Sequence, residues 1–350
     1  MVVSILAFIF VLGLLVTTHE FGHFLVARFF GVYVIDFSIG YGPKLVGWKM
    51  LGTDFYLRAL PLGGFVRLAG MEGNAIEGYE EAQVPSAKRF DSKPIWQRSL
   101  IVAAGPLMNI LLAVVLVIIV FSFSGVPIGN LTVMEVVPDS PAAQAGIQAG
   151  DTIVEVNGNP ADNLDRVINI ISSSPDQPVE LTIRRGEEQL TISVIPQWNE
   201  EEKRALIGIM FGVENVSLGF GGTIVQGFKT VGNWFIMSIV GLLYTISGRL
   251  PLELAGPLGI AQMAGQAASF GFLNLLMFAA VVSNFLAIFN LIPIPLLDGG
   301  HLLLFLIEKI RKKPLEPEKI GIMYFIGIVL IFGVAIFVTY QDVLRIVSGK

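Results

Sequence analysis

The sequence predicts an α-helical polytopic membrane protein. It has four transmembrane helices, a β-structured region between the first two and a β-rich extracytoplasmic domain inserted after the second. Three observations carry this. First, the chain is 53% hydrophobic and only 15% charged over 350 residues, with a mean hydropathy of +0.71. Soluble domains carry about 25% charged residues, so too few polar side chains exist here to coat a globule in water. Second, four apolar stretches reach the roughly 20 residues needed to cross a bilayer core. Third, acidic charge is concentrated in one long segment between them. This balance excludes a disordered chain and a nucleic-acid binder, which would need a basic face. The absence of Cys excludes disulfides, thiolate metal sites and cysteine nucleophiles.

The elements follow in order. Span one, 1–32, is apolar except for Thr17, Thr18, His19, Glu20, His23 and Arg28. A charge at membrane depth costs about 2.5–3.5 kcal/mol, so these residues are there for function. The segment lacks a basic leader and a small-residue cleavage site, so it reads as a retained span. Region 33–97 holds two strand-like stretches, Val32–Ile35 and Gly64–Leu68, followed by a mobile loop at 70–93. Span two, 98–124, reads as an unbroken aliphatic run. Residues 127–213 alternate short β-rich runs with turns, and 163–172 has helical spacing. Asn157-Gly158 supplies a hairpin turn. Region 214–271 reads as amphipathic or re-entrant, because its apolar run 221–247 is interrupted by Lys229 and Asn233. Span three is 272–300, a loop covers 301–318, and span four is 319–341.

Charge sets the orientation. Segment 31–97 holds seven Lys/Arg and 299–318 holds four, whereas 125–220 has five against fourteen Asp/Glu. Positive-inside reasoning places the first two in the cytoplasm. Both termini and the inserted domain then lie outside.

The chemistry centres on His19-Glu20-Phe21-Gly22-His23. Positions i and i+4 of a helix share a face, so both imidazoles can reach one Zn²⁺ while Glu20 acts as general base. A catalytic zinc takes a third protein ligand. The run from Asn290 to His301, NLIPIPLLDGGH, breaks span three with two prolines and carries two glycines. Irregular backbone at membrane depth is tolerated where it lines a cavity. Asp298 is the lone acid there and is assigned as the third ligand. His301 is the rival, otherwise a neighbouring or interfacial histidine. His23 and Asp298 both fall near the cytoplasmic ends of their spans, so all three ligands share one depth.

These motifs resemble the site-2 protease family of intramembrane zinc metalloproteases, in its bacterial RseP type. The likeness extends to Gly256–Ala261 and Gly63–Val66. Residues 140–158 resemble a PDZ domain, one copy where the RseP type has two. The resemblance implies a zinc endopeptidase of the bacterial inner membrane that cuts transmembrane segments of single-span proteins, such as anti-sigma factors or remnant signal peptides. It implies that Asn290 holds the substrate backbone or oxyanion. It also implies a membrane-associated sheet over 33–68, whose edge at Gly64, Phe65 and Val66 pairs with substrate. The partners expected are membrane-protein substrates and the lipid bilayer, with no nucleic acid, and the chain is expected to be a monomer. Two other readings exist. A metal or proton transporter calls for acids in other spans, and 99–123 and 320–340 carry none. A non-catalytic PDZ scaffold leaves Glu20 unexplained.

Overall fold

The computed structural model describes residues 2–71, 84–161, 164–200, 202–249, 255–313 and 315–348. Two compact units emerge, one formed by 1–123 with 224–350 and one by 124–223.

The first unit begins with helix α1 (Val2–Phe29). Strands β1 (Val34–Met50) and β2 (Thr53–Leu68) follow. Both bend, so that Phe37 lies opposite Val66 on one side and Phe55 on the other. The resulting sheet has Gly64–Leu68 at one edge. Its inner half packs on α1 through Phe24, Phe37 and Phe55, whose rings meet at 5.5–5.8 Å. Beyond it, the stretch expected as a mobile loop divides. Residues 72–83 lie outside the described residues, and 84–93 is pinned. Phe90 is buried, its N–H donates to Ala69, and the Tyr33 N–H donates to Lys88.

Helix α2 (Ile95–Ser124) packs on α1 so closely that a Cβ on Gly22 would lie 2.4 Å from the Ala104 carbonyl oxygen. Small residues at such contacts let membrane helices touch backbone to backbone. The α2 run is not purely aliphatic. It carries Pro106 within the helix and a fully buried Asn109.

The second unit is the expected β-rich domain. It holds β3 (Val126–Val136), α3 (Pro141–Gln144), β4 (Thr152–Val156), β5 (Asn159–Pro160), α4 (Leu164–Ser172), β6 (Val179–Arg185), β7 (Glu188–Val194), β8 (Gln197–Asn199), β9 (Arg204–Leu206) and β10 (Ile209–Val216). The main sheet runs β10-β3-β4-β6-β7. Strand β6 alternates as one-sided burial requires, with Val179, Leu181 and Ile183 inward. Asn157 and Gly158 form the turn, both at positive φ. Asp151 is buried and accepts two 2.7 Å bonds from the Arg185 guanidinium, which hold its carboxyl below the usual carboxylate range.

The first unit resumes with α5 (Gly219–Ile246), α6 (Pro257–Ser269), α7 (Phe272–Leu291), α8 (Asp298–Arg311) and α9 (Pro317–Ser348). Helix α6 lies on the start of α1, where Gly265 makes room for Ser4. Its first turn is capped from a distance. Asp342 of α9 accepts from Gly256 N–H at 3.1 Å and Gly259 N–H at 2.8 Å.

Two expectations are corrected. Span three does not run helically to 300, because α7 ends at Leu291 where Pro293 and Pro295 cannot continue it. The expected loop 301–318 is mostly helix α8. Its Leu304 and Phe305 are buried, Lys309 and Arg311 close the last turn favourably, and Arg98 binds Glu308 through both carboxylate oxygens at 3.1 and 2.7 Å. Helix α5 covers the apolar run expected as amphipathic or re-entrant. Among the described residues α1, α2, α5, α7 and α9 are long and apolar enough to cross a membrane. The chain is therefore a multi-pass membrane protein.

Candidate active site

The HExxH spacing does on α1 what helix geometry dictates. His19 and His23 face the same way, with Nε2 atoms 3.2 Å apart. Asp298, the first residue of α8, meets them both. Its Oδ2 lies 3.1 Å from His19 Nε2, and its Oδ1 lies 3.5 Å from His23 Nε2. The loop at 292–297 delivers this carboxylate. A Cβ on Gly299 would lie 2.2 Å from the Leu291 carbonyl oxygen, and one on Gly300 2.2 Å from that of Ile294. Only glycine lets the start of α8 tuck into the loop that precedes it. Leu296 holds a positive φ of 82°, an uncommon conformation for a side-chain-bearing residue and one that clusters at active sites.

The three side chains fit a zinc ion. Bonds of about 2.0–2.1 Å in tetrahedral geometry put ligand atoms about 3.3 Å apart. The two Nε2 atoms are 3.2 Å apart, Asp298 places one oxygen 3.1 Å from the first and its other oxygen 3.5 Å from the second, and one ligand atom from each residue falls within 4.8 Å of the others. Asp298 Oδ2 is buried and makes no hydrogen bond, so its lone pairs lack any other partner among the described residues. The far sides of the rings are engaged as well. His23 Nδ1 lies 2.9 Å from the Ile101 carbonyl oxygen, to which it donates. His19 Nδ1 lies 3.2 Å from the Asn109 amide. Both leave Nε2 directed at the common centre.

These residues line a cavity of about 300 Å³, together with Glu20, Asn290, His301, Phe65 and Val66. Glu20 stands between the histidines and the sheet edge. Val66 lies beside the Glu20 carboxylate in the same cavity, and a Cβ on Gly64 would be 3.5 Å from the Glu20 Cγ. Successive N–H groups of a strand point to opposite sides, so of Phe65 and Val66 one N–H faces β1 and the other faces the open edge. Asn290 sits in the last turn of α7. His301 lines the cavity but stays outside the three-residue cluster, its Nδ1 3.4 Å from the Tyr324 hydroxyl. His19, Glu20, His23, Phe65, Val66, Asn290 and Asp298 therefore line one cavity, with Gly64 beside Glu20. What sequence reading missed lies on α2. Ile101, Gly105 and Asn109 form one helical face under both rings, and a Cβ on Gly105 would lie 2.3 Å from His23 Nε2. The available signal was Asn109, an amide in an otherwise aliphatic span.

The description Peptidase family M50 matches residues 7–334. Similar full-length relatives include the zinc metalloprotease RasP of Geobacillus kaustophilus, 31% identical with 97% of each chain covered. The regulator of sigma-W protease RasP of Bacillus subtilis is 30% identical, covering 98% of this chain and 99% of the relative. A putative zinc metalloprotease of Clostridium perfringens is 37% identical over 94% and 95%. Among solved structures, the PDZ domain of the SdrC-like protein of Listeria monocytogenes aligns with 25% of this chain and 90% of that domain, at 26% identity and a TM-score of 0.22.

Proposed function

The chain belongs to peptidase family M50, is a zinc metalloprotease, and from that premise we propose that it hydrolyses peptide bonds within transmembrane segments, with His19, His23 and Asp298 holding the zinc and Glu20 as general base. The carrying observation is the placement of Glu20. It lies in one cavity with three converging ligand atoms on one side and an open strand edge on the other. The zinc, when bound, supplies a Lewis acid for the scissile carbonyl and lowers the pKa of water. Glu20 takes the proton of the attacking water and delivers it to the leaving amine nitrogen. Asn290 offers its amide to the substrate carbonyl. Purified enzyme in detergent is expected to cleave a synthetic transmembrane peptide, to stop when a chelator strips the metal and to recover with added zinc. Cleavage that survives complete zinc removal would refute the assignment.

A helical substrate has its backbone bonds satisfied internally and must unwind before water can attack. Residues Gly64–Leu68 form the outer run of the sheet, with β1 on one side only. An extended peptide can take over the free side. Of Val66→Pro and Phe65→Pro, the one whose N–H faces the open side removes a docking donor while sparing the ladder, and proline is tolerated on an edge strand. A hydrogen bond to a charged or polarised group contributes about 1.5–3 kcal/mol, so cleavage by that variant should fall about 10–100-fold with zinc content unchanged. The other variant cuts a ladder bond instead and should lower thermal stability. Wild-type cleavage by both variants would show that this edge does not hold substrate.

Four spans, α1, α2, α7 and α9, account for the charge pattern. Gly227 of α5 packs on Ile118 near the end of α2, and Gly265 of α6 packs on Ser4 at the start of α1. Since α1 and α2 pack antiparallel, α5 begins and α7 begins at the same membrane face, which supports an α5 without a net crossing. The Lys/Arg distribution puts that face, the PDZ-like unit and both termini outside a bacterial inner membrane. The acidic outer unit then screens substrates by the size of their external domains. Its replacement by a flexible linker should leave short-tailed substrates cleaved and admit bulky ones. A folded, zinc-loaded deletion variant that cleaves nothing would overturn the filter. Suitable substrates are single-span anti-sigma factors or remnant signal peptides. The sigma-W name carried by the Bacillus subtilis relative supports the first class.

A further inference from the structure

We propose that Asn109 is a positioning residue for the zinc site, acting through His19. The inference rests on His19 being a metal ligand, and it begins with a conflict of donors. A neutral imidazole that offers the Nε2 lone pair to a metal carries its proton on Nδ1. His19 Nδ1 faces the Asn109 amide at 3.2 Å, and the atom placed there is Nδ2, itself a donor. The Asn109 Oδ1 meanwhile is buried without a hydrogen-bond partner. The nitrogen and oxygen of an amide are nearly identical in shape, and their assignment follows from the network around them. Exchanging the two turns the donor–donor contact into an Nδ1–H···Oδ1 hydrogen bond and gives the orphaned oxygen its partner.

The rest of the α2 face is built for the same task. Asn109 is fully buried, and its backbone carbonyl accepts a 2.8 Å bond from Ser283 of α7, so the residue is held from a second helix. One turn earlier Gly105 leaves the space that both rings occupy, and another turn earlier the Ile101 carbonyl takes the corresponding proton of His23. Pro106 follows Gly105 within the helix, and its missing N–H leaves the Val102 carbonyl without its usual helical partner. The two ligand rings are thus oriented by the same helix in two different ways. A backbone oxygen serves His23 and a side-chain oxygen serves His19. Only the second can be removed by mutation.

Partners of this kind change metal affinity by about 10–100-fold when lost. Asn109→Leu keeps the side-chain shape and removes the acceptor. Its zinc affinity, measured by chelator competition on the purified chain in detergent, should fall about 10–100-fold. Asn109→Asp restores an acceptor, and its charge is offset within the zinc–histidine pair, so its affinity should stay within about threefold of wild type. Asn109→Ala serves in place of the leucine variant if that chain does not fold. His19→Ala separates the two levels of the argument. If it binds zinc as tightly as wild type, the ligand assignment is wrong. If it loses zinc while Asn109→Leu binds normally, or if the Asp variant loses as much affinity as the Leu variant, the positioning role is overturned.

Discussion

Glu20→Gln is expected to leave the fold and the bound zinc intact and to reduce cleavage by about 10²–10⁴-fold, the range that general acid–base catalysis supplies. The substitution is nearly isosteric, so the packing around the side chain is kept. What the amide cannot do is take a proton. Neither His19 nor His23 can substitute, because each ring has one nitrogen turned to the common centre and the other engaged by α2. Zinc stoichiometry and single-turnover cleavage of a transmembrane peptide, measured on the same preparation, separate a lost base from a lost metal. Substantial turnover by a zinc-loaded Glu20→Gln enzyme would remove Glu20 from the chemistry.

That experiment tests a residue legible from sequence alone, and the reason is physical. His19, Glu20 and His23 are costly in an apolar helix, and their spacing maps onto one face through a fixed helical period. Asp298 was legible for a similar reason, as the single acid in a proline-broken segment. The sheet edge was harder. Strand composition marks Gly64–Leu68, but its place at the sheet edge depends on pairing, and that emerges only when Val66 is seen opposite Phe37 with no strand on its other side. Helix α8 was hidden because its apolar residues cover one side of a short segment rich in Lys and Arg, which reads as a loop when the search is for spans. Asn109 escaped because one amide barely lowers the hydropathy of a 30-residue helix. Its meaning comes from the imidazole across from it, 90 positions away in sequence.

The second large effect concerns the third ligand. Asp298→Ala should lower zinc affinity by more than about 100-fold, beyond what loss of a merely supporting residue costs, and should abolish cleavage. His301→Ala should hold zinc within about tenfold of wild type. The two residues lie three positions apart at the start of one helix and line one cavity. Geometry separates them. The Asp298 carboxylate meets both Nε2 atoms with different oxygens, at 3.1 and 3.5 Å, and its Oδ2 has no hydrogen bond of its own. The His301 ring instead faces α9, with Nδ1 3.4 Å from the Tyr324 hydroxyl and the ring centroids 5.7 Å apart. To bring His301 onto the histidine pair, α8 would have to rotate, and Gly299 and Gly300 are wedged against the carbonyls of Leu291 and Ile294 with no room to do so. Metal analysis of both purified variants decides the matter. Zinc lost from His301→Ala and kept by Asp298→Ala would mean that the start of α8 adopts a different orientation when the metal is bound.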